Sequence, residues 1–431
     1  MNLALPIIGG MMSQNVLNLV DTAMVGVLGP TALAAVGIAS FASFMTGAVV
    51  MGLGTAVQAM TARRIGEGRA EESAIPLNGG LLLALVISLP LSLAACLFAP
   101  KLFPYLNADP AVIADGVPYF QARVLAVMAV GMNFSFRGYL TGVSLTRFYL
   151  RTLLIMHACN VVLNYLLIYG KFGFPELGAQ GAGIGTAVST YIGTGIYFFL
   201  TWRVARANGF LHRIPRGQTM ATMLRLSIPS AIQMFLFAAG MTTLFWIIGQ
   251  VGTQELAATN VLTNLFLVAL LPGMGFGMAA MTLVSEALGR VDADDARQWA
   301  FDVLKIACLV MAAIGVPALL FPDLVLSGFI HDPDTRALGV APLRLFGAMM
   351  AIEGASIVFM NSLLGAGAAR AVMLTSVLTQ WLVGLPAAFI VGPHLGFGLL
   401  AIWGTFAGYR LLQTVIFAGL WMRGRWVSIR I

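Results

Sequence analysis

The sequence predicts an all-α membrane protein of twelve transmembrane helices arranged as two six-helix halves. Three observations predict it. Charged residues are only 10% of the 431-residue chain while hydrophobic residues are 59%, against roughly 25% and 45–50% in soluble domains. The apolar residues fall in runs such as 79–100, long enough for the ~20 residues a spanning helix needs and unlike the short alternating segments of a membrane β-barrel. Finally, the chain repeats itself at an offset of 223 positions. A soluble enzyme, a disordered protein and a disulfide-rich secreted module are excluded by composition.

In chain order the spans read 5–28, 32–62, 74–99, 111–141, 148–169, 179–202, 223–249, 255–286, 298–321, 339–365, 371–391 and 397–421. The first 28 residues lack Lys and Arg, so they read as a first span rather than a cleaved signal. Breaks carry loop chemistry: Gly29-Pro30, Gly66-Glu67-Gly68, Asn107-Ala108-Asp109-Pro110 and Asp332-Pro333-Asp334. Cys96, Cys159 and Cys308 lie in apolar runs and form no CxxC, which leaves no redox or metal signal.

The repeat places Pro6 on Pro229, Gly26 on Gly249, Leu33-Ala34-Ala35 on Leu256-Ala257-Ala258, and Met51-Gly52-x-Gly54-x-Ala56 on Met274-Gly275-x-Gly277-x-Ala279. Gly142 falls on Gly365 and Gly181 on Gly404. The expected units are therefore an N-terminal lobe 1–202, a polar linker 203–222 and a C-terminal lobe 223–431. An even number of spans makes the two halves run in the same direction, as in parallel-repeat transporters. With a cytoplasmic N-terminus, outer loops hold only Lys101, Lys171, Arg336 and Arg344, and inner loops and the tail hold most of the other basic residues. The positive-inside rule then places both termini in the cytoplasm of a plasma or inner membrane. The +7 net charge thus marks topology, and no nucleic-acid partner is expected.

Acids within spans are expensive and point to function. Asp21 lies inside the first span, with Gln14 and Asn18 on the same helical face at i, i+4 and i+7. The fifth span carries Asn160 and Asn164, and the sixth Thr186 followed by Ser189 and Thr190. A carboxylate ringed by amide and hydroxyl oxygens suits a proton or a hard cation such as Na⁺. We expect Asp21, Asn160, Asn164 and Thr186 to form a cation-coupling cup, with any Na⁺ bound there; the alternative is that the amides only tie helices together. Glu353, in the tenth span, is expected with Gln14 and Asn18 to serve the substrate cavity or a second cation site, or to pair with a buried Arg, Arg123 or Arg137. Met11-Met12, Met278, Met281, Met349-Met350 and Met360 are candidates to line a cavity. His157, His212, His331 and His394 form no HExxH, and neither GxSxG nor a Walker loop occurs. No catalytic residues, no enzyme activity and no cofactor are expected. Gly52-x-Gly54 reads as close helix packing.

Leu5-Pro6, Val20-Asp21-Thr22-Ala23-Met24-Val25-Gly26, Leu33-Ala34-Ala35-Val36, Asn160-Val161-Val162-Leu163-Asn164-Tyr165, the run from Gly170 to Ala179 and Gly181-Ala182-x-x-x-Thr186 resemble the multidrug and toxic compound extrusion (MATE) family over essentially the whole chain. The resemblance implies a MATE-like fold and an antiporter that expels small organic, often cationic, drugs against inward H⁺ or Na⁺. It assigns the family's first-span acid to Asp21, its fifth-span pair to Asn160 and Asn164, its sixth-span Thr to Thr186 and its tenth-span acid to Glu353. One departure matters: a seventh-span Glu common in the family, eight residues after the span's Pro, is here Phe237. That moves the expected coupling site to the cup around Asp21. The implied partners are drugs and the bilayer; a 431-residue two-lobed transporter is expected to work as a monomer. The rival reading is a flippase for a lipid-linked precursor, which would want a strongly basic cavity.

Overall fold

The computed structural model describes residues 3–431. Among these every regular element is helical: α1 (Ala4–Gly26), α2 (Pro30–Gly66), α3 (Ile75–Leu106), α4 (Pro110–Leu125), α5 (Val127–Gly142), α6 (Thr146–Tyr169), α7 (Gly178–Ala205), α8 (Gly217–Gly249), α9 (Thr253–Gly289), α10 (Ala293–Leu320), α11 (Pro322–Ser327), α12 (Pro333–Gly365), α13 (Ala369–Leu378), α14 (Leu385–Phe389) and α15 (Gly398–Met422). Ten helices are long and apolar enough to cross a bilayer, and α4 with α5 makes an eleventh. The remaining helix that the sequence reads as a span, α1, is 23 residues long and carries Ser13, Gln14, Asn15, Asn18 and Asp21. The protein is therefore a multi-pass membrane protein. Leu89, Leu93 and Leu97 line one face of α3 and are 66%, 61% and 67% exposed, a cost in water that lipid removes.

Helix ends follow the loop chemistry. Gly29 adopts φ 111° immediately before Pro30, a conformation glycine takes without strain. Asp109 caps α4 by accepting from Ala111 N, and Asp332 caps α12 by accepting from Thr335 N, each followed by a proline whose missing N–H costs nothing at the first helical position. Two spans are less regular than the sequence predicts. The fourth, read as one helix over 111–141, bends by 44° between α4 and α5, where Ala126 N bonds to Arg123 O in a tightened turn. The eleventh contains π-helical turns at Thr379–Gly384 and Ile390–His394. Pro386 and Pro393 remove backbone donors there.

The chain divides into two compact units, Met1–Ala231 and Ile232–Ile431. The turn between α7 and α8 spans 206–216. In the first unit α2 packs on α5 through glycine: a Cβ on Gly54 would sit 2.8 Å from Phe134 O, and one on Gly138 would overlap Gly54 O. The second unit repeats the device between α10 and α12. There a Cβ on Gly347 would lie 2.6 Å from Gly315 O, and one on Gly315 would overlap Gly347 O. Such backbone approach replaces the hydrophobic drive that lipid does not supply. The second unit's core is aromatic, with Phe266, Phe346, Trp403, Phe406 and Tyr409 in successive ring contacts. Met278, Met281 and Met350 are buried in packing, Met349 borders a small cavity beside Phe346 and Glu353, and Met12 is exposed.

Candidate cation-coupling site

Helices α1 and α6 lie side by side and parallel, joined by a ladder of contacts. Tyr149 and Leu153 reach Gly10; a Cβ on Gly10 would lie 2.7 Å from the Tyr149 ring. Further along, His157 meets Ser13 and Gln14, Asn164 meets Asp21, and the Tyr169 hydroxyl donates to Met24 O at 2.7 Å. The α6 partners recur at steps of four, four, seven and five residues, so one helical face supplies every rung.

Around Asp21 the ladder widens into a polar network. Asn164 Nδ2 donates to Asp21 Oδ1 at 2.8 Å and to Asn160 Oδ1 at 3.1 Å. Asn160 Nδ2 in turn donates to Thr186 Oγ1 at 3.1 Å and Ser189 Oγ at 3.3 Å, both on α7. Asn164 and Asn160 are 0% and 1% exposed, whereas Asp21 is half-buried, so the carboxylate keeps an open side. It has no ion-pair partner among the described residues; Arg123 on α4 acts on it through space. Helix α7 can approach only because position 185 is glycine: a Cβ there would overlap Asn164 Oδ1. That oxygen is buried and has no hydrogen-bond partner, so Asn164 turns its donors, not its acceptor, toward Asp21.

The structure thus gathers Asp21, Asn160, Asn164 and Thr186. Gln14 and Asn18 lie on the same side of α1, and Gln14 Nε2 donates to Asn18 Oδ1 at 3.2 Å; neither bonds to Asp21. Glu353 belongs to the second unit and is 2% exposed. Its partner is Arg410, not Arg123 or Arg137. Arg410 Nε donates to Glu353 Oε1 at 2.8 Å, its Nη2 donates to Oε2, and its Nη1 donates to Gln413 Oε1 at 2.5 Å. Gln413 Nε2 donates on to Thr379 Oγ1 at 3.3 Å in the first π-helical turn. Buried charges are tolerated when paired and hydrogen-bonded like this, and Arg410 engages both carboxylate oxygens of Glu353. Phe237 contributes only its carbonyl, which accepts from Gln380 Nε2 at 3.4 Å. His157 escaped motif reasoning, although its i, i+3, i+7 spacing with Asn160 and Asn164 was a usable signal. No His, Cys, Asp or Glu cluster able to hold a metal ion occurs among the described residues.

Comparison with known proteins agrees with this architecture. The MatE family model matches residues 6–166 and 229–390, once in each half. The multidrug resistance protein NorM of Photobacterium profundum is 26% identical over 398 residues, covering 91% of this chain and 87% of that protein. The probable multidrug resistance protein NorM of Thermotoga maritima is 23% identical, covering 98% and 92%. Among solved structures, an outward-facing multidrug resistance MATE family transporter of the MOP superfamily superposes with a TM-score of 0.90 at 20% identity, over 100% of this chain and 96% of that one. A MOP superfamily transporter from Pyrococcus furiosus superposes with a TM-score of 0.88 at 20% identity, also over 100% and 96%.

Proposed function

The chain belongs to the MatE family, and on that premise we propose that it is a secondary active multidrug efflux antiporter of the inner membrane, with both termini cytoplasmic. It exports small organic, mainly cationic compounds in exchange for protons by alternating access between the two halves. Asp21 carries the coupling proton. The observation that supports this most is the Asn164–Asp21 contact. An ionised Asp21 accepts a charge-assisted hydrogen bond from a fully buried amide. Such bonds contribute about 1.5–3 kcal/mol, which is roughly a 10- to 150-fold bias between two packings of α1. Protonating Asp21 removes the charge and forfeits most of that bias. Coupling then requires only that drug and proton prefer different packings.

The same contact favours H⁺ over Na⁺ as the coupling ion. A Na⁺ site wants several oxygens turned inward, whereas Asn164 presents N–H groups to Asp21 and Asn160 Oδ1 is already occupied by Asn164. The second half contributes no competing ion site in this reading, because Arg410 already compensates Glu353. It also disfavours the flippase reading: Arg410, one of the few cations within the spans, is consumed internally and cannot serve a phosphate. The test is efflux of ethidium, an organic cation, from proteoliposomes under an imposed pH gradient in Na⁺-free buffer. Transport there that disappears in Asp21→Asn supports the proposal. Transport only under a Na⁺ gradient overturns the choice of ion, and silence under both gradients overturns the antiport reading.

A further inference from the structure

We infer that His157 is a positioning residue for the coupling carboxylate, acting through helix α1 rather than on the proton or the drug. This rests on the reading of Asp21 given above. The observation is the rung that His157 makes with α1. Its Nδ1 lies 2.7 Å from Ser13 Oγ and its Nε2 lies 3.1 Å from Gln14 Oε1. An amide oxygen can only accept, so Nε2 carries the ring hydrogen and donates to Gln14. Nδ1 is then left as the acceptor of the Ser13 hydroxyl proton. Both ring nitrogens are spent on one helix, and His157 is 6% exposed.

The geometry gives this rung leverage on Asp21. His157 precedes Asn164 by two helical turns on α6, and Gln14 precedes Asp21 by the same distance on the parallel α1, which is about 10 Å at 1.5 Å per residue. From that rung Gln14 Nε2 donates on to Asn18 Oδ1, one turn nearer Asp21 along α1. On the other side of Asp21 the ladder continues to Tyr169 and Met24 O. A helix held at points on both sides of Asp21 presents the carboxylate to Asn164 at a fixed depth. Remove the His157 rung and the nearest fixed point toward the N-terminus is Gly10 against Tyr149, where contact is van der Waals only. The charged and titratable groups facing this seam are Asp21 on α1, Arg123 acting on it from α4, and Tyr149 and Tyr169 on α6.

Two readouts test the inference, in one reconstituted preparation. One is the pH dependence of ethidium efflux. The other is the infrared carboxyl band that Asp21→Asn removes, followed as a function of pH without any substrate. His157→Leu is expected to move the midpoint of both to higher pH by ~1 unit, because the ionised carboxylate is less well held against its amide donor. His157→Gln, which keeps one donor and one acceptor on α6, is expected to restore the wild-type midpoint. Should His157→Leu fail to fold, the pair Ser13→Ala with Gln14→Leu removes the same rung from α1 and is expected to give the same shift. A folded His157→Leu protein with an unmoved band overturns the inference. So does an equal loss of turnover in the Leu and Gln variants with unchanged midpoints, which marks a packing role only. If wild-type protein shows no proton-driven efflux, the functional reading fails, yet the infrared band still decides the role of His157.

Discussion

Gly185→Ala probes the coupling site without touching a polar atom. The new methyl would overlap Asn164 Oδ1 and would lie 3.1 Å from Asn164 N and 3.2 Å from Asn164 Cγ. Asn164 is fully buried, so it has nowhere to retreat, and relief requires rotating the amide or parting α6 from α7. Either movement withdraws Nδ2 from Asp21 Oδ1. The bond lost is charge-assisted and contributes about 1.5–3 kcal/mol. At 1.36 kcal/mol per pH unit this converts to a shift of ~1–2 units in the pH midpoint of transport. The sign follows from which form is stabilised: the donor holds the ionised carboxylate, so without it the proton binds at higher pH. Overpacking adds a fold penalty of about 1–3 kcal/mol, read separately as a lower unfolding temperature in detergent. The assay is ethidium efflux across a pH series, beside Asn164→Leu. The two variants should shift alike, and the double variant no further, because both remove one interaction. A folded Gly185→Ala protein with the wild-type midpoint would refute the claim that this contact sets proton affinity.

Two other consequences are open to measurement. Arg410→Leu strands Glu353 as an uncompensated buried charge and should destabilise the protein by about 3–5 kcal/mol, seen as a lower unfolding temperature; replacing both partners, Glu353→Gln with Arg410→Met, should recover most of it, and equal stability of the single variant and wild type would contradict the buried pairing. For topology, a cysteine introduced at Ala108 should react with an impermeant maleimide added to intact cells, while one at Ala207 should react only after the membrane is opened; the reverse pattern would invert the proposed orientation.

Much of the fold was legible because spanning helices announce themselves by length and apolarity, and because Gly29-Pro30 and the Asp-Pro pairs at 109–110 and 332–333 mark ends by local chemistry alone. The bend at Ala126 was not legible. It falls within Arg123-Val124-Leu125-Ala126-Val127-Met128, which contains neither Pro nor Gly, so tertiary packing rather than local propensity sets it. Helical spacing brought Asn160 and Asn164 onto one face, but a face has no address. That it meets Asp21 depends on α1 packing against α6, which sequence periodicity does not encode. The partner of Glu353 shows the same limit: Arg410 is 57 residues away, and reading within spans offered Arg123 and Arg137 equally well. His157 belongs to no metal motif, and the side chains it holds on α1, Ser13 and Gln14, are 144 and 143 residues away in sequence.

The most direct test of proton coupling through Asp21 is to count protons exchanged on binding. Purified protein in weakly buffered, Na⁺-free detergent solution is titrated with tetraphenylphosphonium while the pH is recorded. Drug binding is expected to expel a proton from the wild-type protein, and Asp21→Asn to bind the cation with no proton release. Equal proton release from the two proteins would contradict coupling through Asp21.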